Sequence, residues 1–356
     1  GTEMTAPDAV SKAPYQKIGG FCFMQKSIIN ATYDKPFKTN DELIELLESR
    51  NVVITDKEFA KKCISDISYY SLINGYKNLF PCDQNNKFQI PIQFYDFYNL
   101  YRFDTMINSV IFKYIIAIEK SLKSKLAYII SEKYGVFTDL NDYSNNNHND
   151  YLCKKYYRNN KQTQSILKKI KEEIYKTKNE SVNHYKKNHN HVPCWILVNG
   201  IPFGLTIKWY EILKPSEKDM ICNQFLSTTD ITIEDKKEFF KKSLDILRKY
   251  RNNIAHGNKI FNNTISEELP KKSVLLLSNN LITKIDYKHG IGRNDIFAVI
   301  IIICVFIDEV SKNIFLNEVI NIFSLFGTVT FSQDKSLLQM LKLPNDFLER
   351  LNRLLN

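Results

Sequence analysis

Apolar and polar positions alternate at helical rather than strand spacing along most of the chain. Between Phe94 and Tyr134 the apolar residues Tyr98, Tyr101, Ile107, Ile111, Ile115, Ile118, Leu122, Leu126 and Ile129 stand mostly three or four apart. This spacing predicts one long helix, or two broken around Phe103-Asp104, stopped by Gly135. Upstream, Thr39-Asn-Asp-Glu42 and Thr55-Asp-Lys-Glu58 have the Thr-x-x-Glu spacing of a capping box. Each precedes an apolar stripe: Leu43, Leu46 and Leu47, then Phe59, Cys63, Ile64 and Ile67. The stretch Ile67–Tyr76 reads as a continuation of the second helix, closed by Asn74-Gly75.

Downstream, residues 193–210 contain Asn199-Gly-Ile-Pro-Phe-Gly204, whose two glycines and proline suggest two helices joined by a tight turn. From Asp230 to Ala255 another helix puts Ile233, Phe240, Leu244, Leu247 and Ile254 on one face. Lys236, Lys237, Lys241 and Lys242 fall on the other. Asp295 to Phe326 is again helical. Its apolar run Ile296–Ile307 is too short for a bilayer, which needs about 20 residues, and reads as a buried helix. A last helix, 336–355, is interrupted by Pro344. Strand-like signal occurs in Ser273–Leu277 and Leu281–Tyr287, joined by Ser278-Asn-Asn280 as a hairpin would be. The expected fold is all-α, with a small β-hairpin near 273–287. Residues 1–30 read as a flexible arm, with Gly1-Thr-Glu3 ahead of Met4 as an expression remnant. Residues 31–90 form an N-terminal helical region, and 91–356 the main helical domain with a basic insertion at 139–192.

Composition supports helices, since Gly and Pro number only 11 and 10 in 356 residues. A formal charge of +10 points to a polyanionic partner, RNA or DNA before membrane. Most of that charge is local. Between Lys154 and Lys187, eleven Lys and Arg face three Glu, a net +8. Lys154, Lys155, Arg158, Lys168, Lys169, Lys171, Lys186 and Lys187 are the candidate phosphate contacts. Tyr151, Tyr156, Tyr157, Tyr175 and Tyr185 are rings on which bases could stack. A solvated Lys/Asn insertion has the same pattern. The seven Cys lack any Cys-x-x-Cys pair, and the simplest account is reduced thiols in a cytoplasm.

The strongest chemical signal is Arg251-Asn-Asn-Ile-Ala-His256-Gly257, at the end of the helix that begins near Asp230. Arg251 keeps its charge at any physiological pH, whereas an imidazole titrates near neutrality. Asn252 and His256 are four apart on one helix face, so the amide is expected to hold one ring nitrogen. A guanidinium that neutralises phosphate oxygens, beside an imidazole that moves protons, can cleave RNA. The ribose 2′-OH supplies the nucleophile, so no metal or other cofactor is required. His184, His189, His191 and Cys194 match no structural zinc spacing. No phosphate-cradling glycine loop and no Ser-centred nucleophile motif occurs. Glu119, among Ile115, Ile118 and Leu122, needs a partner if buried; Arg251 and Lys123 are the two candidates.

Arg251-Asn-Asn-Ile-Ala-His256 resembles the Arg-polar-x3-His motif of HEPN-domain ribonucleases. The wider chain is similar to abortive-infection (Abi) proteins of the AbiD/AbiF type. The similar stretches are Lys35-Pro-Phe37 with Leu43–Leu47, Ile67–Tyr76, Tyr101-Arg-Phe-Asp104, Ile118-Glu119 with Leu122 and Lys125–Tyr128, Trp195–Gly204, and Arg251–Asn262. One departure is Gly257, where a second His often stands in the family. The resemblance implies a helical HEPN-like domain over 91–356 that pairs in a homodimer. Arg251 and His256, with Asn252 and Glu119 nearby, would then form half of a composite RNase site. It further implies antiphage defence, toxin-like activity and a non-coding RNA partner that restrains it. The same residues also suit an RNA-binding ribonucleoprotein component whose HEPN site is silent.

Overall fold

The computed structural model describes residues 35–355 apart from 228–230, 263, 264, 328 and 333. The chain divides into two compact units, 1–39 and 40–356. Residues 35–39, the described part of the first, form neither helix nor strand, and the expected arm at 1–30 lies outside the described residues.

The second unit is helical, as the apolar spacing predicts. Helix α1 spans Asn40–Ser49 and α2 Lys57–Ile67, with the two-residue strand β1, Val52–Val53, between them. The cap of α2 is Asp56, one residue past the expected Thr55; its carboxylate accepts the Phe59 amide at 2.9 Å. The helix then stops at Ser68, whose φ is +79°, and a π turn covers Tyr70–Asn74. Ile67–Tyr76 is therefore not a continuation of α2. Strand β2, Ile92–Gln93, pairs parallel with β1.

Helix α3 runs unbroken from Phe94 to Tyr134, 41 residues, and Gly135 at φ +85° ends it as expected. At 1.5 Å per residue it is about 60 Å long and serves as the spine of the unit. Phe97, Leu100, Phe103, Ile107, Ile111, Ile115, Leu122, Leu126 and Ile129 are fully buried along it, so Phe103-Asp104 lies inside the helix rather than at a break. Helices α4 (Thr163–Lys176), α5 (Glu180–Asn188), α6 (Cys194–Leu197), α7 (Phe203–Ile212) and α8 (Pro215–Phe225) follow. Helix α9, Ile233–Ala255, carries the Arg/His motif. It buries Phe239, Phe240, Leu244, Ile246, Leu247 and Tyr250, and also Lys236, which was expected to face outward. The Lys236 ammonium donates to Asn223 at 3.1 Å.

The expected hairpin does not form. Helices α10 (Lys271–Leu277) and α11 (Lys284–Lys288) occupy its place. Pro270 presets the start of α10, and Thr283 with Asp286 forms a capping box that starts α11. Asn279 and Asn280, at φ +48° and +63°, make the turn that the sequence suggested, but between helices. A short apolar run is ambiguous between strand and buried helix; the capping box decides it for α11, and packing against α9 for α10. Helix α12, Ile296–Phe306, is buried nearly all round, and α13 spans Glu309–Gly327. Helices α14 (Leu337–Met340) and α15 (Phe347–Asn352) flank Pro344. Among the described residues, no helix is long and apolar enough to cross a membrane.

Candidate functional site

The end of α9 is built by a Schellman closure. The Gly257 amide donates to the Ile254 carbonyl at 2.9 Å, and the Asn258 amide to the Asn253 carbonyl at 2.9 Å. Gly257 takes φ +73° to allow this, and His256 becomes the cap residue. The buried face of α9 anchors the helix, leaving His256 exposed in its last turn. Its ring takes no hydrogen bond from a described side chain. Asn252 does not hold it: the Asn252 Oδ1 instead accepts Arg251 Nη1 at 3.4 Å, a long contact. Arg251 is half-buried, with its guanidinium carbon 5.9 Å from the centre of the Phe112 ring on α3. Its Nε is buried without a partner. The arginine is thus braced against α3 while the imidazole stays free.

Beside this end lies a cleft of about 500 Å³, lined on α3 by Tyr101, Asp104, Asn108 and Phe112 and on the other side by Ser71, Ala255, Gly257 and Lys259. Asp104 organises it. The Asp104 carboxylate accepts the Tyr76 hydroxyl at 2.8 Å, the Asn108 amide at 2.9 Å and the Ile260 backbone N–H at 2.9 Å. Burial pushes its pKa above the ordinary carboxylate value, opposed by the Ile260 amide, Tyr76, Lys259 and Asn108. The Lys259 ammonium lies 5.2 Å from the centres of both the Tyr76 and Tyr101 rings. Burial lowers its pKa, and the charge of Asp104 works the other way. Gly75 makes room for this lysine: a Cβ there would stand 2.9 Å from Lys259 Cε and 2.6 Å from the Ser71 carbonyl oxygen.

Asp104, Tyr76 and Lys259 were not singled out from the sequence as site residues, yet they join the stretches 67–76, 101–104 and 251–262. Glu119 stands seven residues beyond Phe112 on α3, two turns or about 10 Å along the axis. It is buried, and its Oε1 pairs with Lys123 at 2.7 Å while its Oε2 has no partner. Of its two candidate partners, Lys123 is the one taken.

The basic insertion splits into surface and interior. Lys154, Lys155, Arg158, Lys168, Lys169 and Lys187 are exposed. Lys186 is half-buried and donates to the Ile174 and Tyr175 carbonyls, each at 3.1 Å, closing the end of α4. Lys171 is wholly buried and is no RNA contact. Its ammonium donates to the Asp139 and Asp142 carbonyls at 2.7 Å and pairs with Asp150 at 2.8 Å. Tyr151 and Tyr157 are likewise interior, their hydroxyls donating to the Val192 and Tyr151 carbonyls. Tyr175 is 62% exposed, so of these three rings it alone is placed to meet a base. His184 and His189 are neighbours, their ring centres 5.6 Å apart, but Cys194 is fully buried, and the exposed His189 stacks on Tyr185 with ring centres 4.4 Å apart. A further cleft of about 720 Å³ is walled by Lys120, Lys123, Tyr128, Trp195 and Asn199. Its rings Tyr128 and Trp195 are 63% and 49% exposed, a surface that only the resemblance had pointed toward.

Comparison with known proteins gives one result. The profile of a family described as Abi-like protein matches residues 62–262, more than half of the chain. No curated protein and no solved structure matches. The matched span begins in α2, takes in the whole of α3 through α9, and ends just past Lys259 and Ile260, so it contains every residue of the Asp104 cleft and the Arg251–His256 helix end. This chain belongs to the Abi-like protein family.

Proposed function

We propose that the protein is a metal-independent endoribonuclease of an abortive-infection system, with Arg251 and His256 as its catalytic residues. The observation that carries this reading is the helix end itself: a guanidinium braced by Phe112 and, five residues on at the cap, an exposed and unengaged imidazole. In the reaction, neutral His256 takes the proton of a ribose 2′-OH as that oxygen attacks the adjacent phosphorus. The bond from phosphorus to the 5′ oxygen breaks, and the leaving oxygen takes a proton from a second, cationic imidazole. Arg251 offsets the charge that gathers on the non-bridging oxygens. The products are a 2′,3′-cyclic phosphate and a 5′-hydroxyl. One chain offers one such pair, so the second imidazole is assigned to another copy in a homodimer.

The test is cleavage of RNA by purified protein in the presence of a metal chelator. Arg251→Ala and His256→Ala are each expected to lower the rate by at least about a hundredfold, the usual worth of a positioned charge stabiliser and of a positioned acid–base group. Unchanged cleavage in both, or a strict need for a divalent ion, refutes the reading. A second reading, an RNA-binding ribonucleoprotein component with a silent site, is favoured by the exposed Lys120/Trp195/Tyr128 surface, which needs no catalysis to serve. It predicts salt-sensitive RNA binding without cleavage.

A further inference from the structure

A separate cleft of about 480 Å³ lies among the start of α4, the start of α8 and the N-terminal half of α9. Its nearest motif-helix residue, Lys241, precedes Arg251 by ten positions, about 15 Å along the axis. Arg158, Lys218, Lys237 and Lys241 line it, together with Glu211 and Glu234. The acids are already engaged. Lys237 pairs with Asp219 at 3.1 Å and Glu234 at 2.9 Å, and Glu211 holds Lys208 at 2.7 Å and Lys241 at 3.6 Å. Among the described residues, neither Arg158 nor Lys218 has an acid within ion-pair distance.

These two cations are nevertheless held facing one cleft. The Arg158 backbone is fixed at both ends, its amide donating to the Ile212 carbonyl at 2.9 Å and its carbonyl accepting the Thr163 hydroxyl at 2.6 Å. Lys218 is half-buried in the first turns of α8. Burial first, then the charge of Arg158, pushes its pKa down to about 8. Asn160 adds a donor, because its Oδ1 is spent on the Gln162 and Thr163 amides at 2.9 Å. A polyvalent anion would relieve the like-charge repulsion and complete the cluster.

We propose that this cleft is a phosphate-binding site, with Arg158 and Lys218 as its direct ligands to a phosphate anion or to a phosphodiester of RNA. The RNA form rests on the function proposed above; the inorganic form does not. Calorimetric titration with inorganic phosphate, against chloride at matched ionic strength, reads the site directly. Saturable binding is expected, and Lys218→Met and Arg158→Gln should each weaken it by at least about tenfold, the worth of one charge-assisted bond. Arg158 is exposed, so its variant tests the site without altering a buried side chain.

A second arm titrates an RNA oligonucleotide onto full-length His256→Ala protein over a series of salt concentrations. If the site holds an RNA phosphodiester, Lys218→Met lowers the salt slope by about one. An unchanged slope alongside lost phosphate binding assigns the site to free phosphate or a phosphomonoester. The proposal is overturned if wild-type protein shows neither phosphate binding beyond chloride nor a Lys218-dependent RNA slope, or if both variants bind as wild type does. Failure of the wild type to cleave RNA leaves the phosphate isotherm as it is, so the two proposals fail separately.

Discussion

At Gly257 the backbone turns left-handed, and the amides of Gly257 and Asn258 close α9 on the carbonyls of Ile254 and Asn253. A Cβ at Gly257 would meet nothing within 4 Å, so Gly257→Ala is charged only for backbone strain. The expected loss is about 1–2 kcal/mol, read by urea denaturation, and Gly257→Asn should cost less because asparagine tolerates this conformation. Lys218 gives a pH-dependent prediction. Its pKa in the folded protein is about 8 against an ordinary 10.5, lowered first by burial and then by Arg158, raised by Glu211, and lowered further by Lys241 and Lys237. Below pH 8 it is charged in folded and unfolded chains alike, and its burial cost is present in full. From about 8 to 10.5 the folded chain has released the proton that the unfolded chain keeps, so stability from this group rises with pH. Lys218→Met is therefore expected to raise the melting temperature at pH 7 in chloride buffer, with the advantage fading by pH 10.5. An equal gain at both ends refutes the assignment. Arg251 and His256 could be read from sequence because five residues of helix set their relation. Asp104 could not, because its partners Tyr76 and Ile260 stand 28 and 156 positions away.

The segment between α3 and α6 shows how far pattern alone carries at the scale of an element. Its Lys and Asn content suggested a solvated insertion, and the surface lysines agree. Lys171 is instead the bolt that fixes the Asn-rich loop to α4: it reaches two loop carbonyls and Asp150, whose carboxylate also accepts the Asp139 and Leu152 amides. Lys171→Met would leave that carboxylate buried without its counter-charge. The expected loss of stability is about 3–5 kcal/mol by urea denaturation, and a loss below 1 kcal/mol refutes the role. In the sequence this lysine is indistinguishable from Lys168 and Lys169; only its position one turn from Leu167 and beside Ile170 hinted at burial. The same limit explains the missing hairpin. Leu275 to Leu277 carry no period of their own, and the packing of α10 against α9 settled their state.

For the whole molecule, the resemblance implied a pair of chains sharing one site. On the proposed mechanism, light scattering is expected to return twice the mass of one chain. Adding His256→Ala chains to wild type, with exchange allowed, should lower the activity more steeply than the wild-type fraction falls, because a mixed dimer keeps only one of the two imidazoles. A strictly monomeric wild type that still cleaves RNA refutes the composite site.

The sequence by itself determined the helical class, the stop of α3 at Gly135, the motif at the end of α9 and the family-like stretches. Each of these depends on residues within a few turns of one another, where spacing and capping chemistry are sufficient. Tertiary structure alone decided which charges are buried, that Asp104 joins three distant stretches, that Lys123 takes Glu119, and that Arg158 meets Lys218 across 60 residues. Those outcomes follow from helices packing on α3, and burial and pairing between distant segments leave no local period to read.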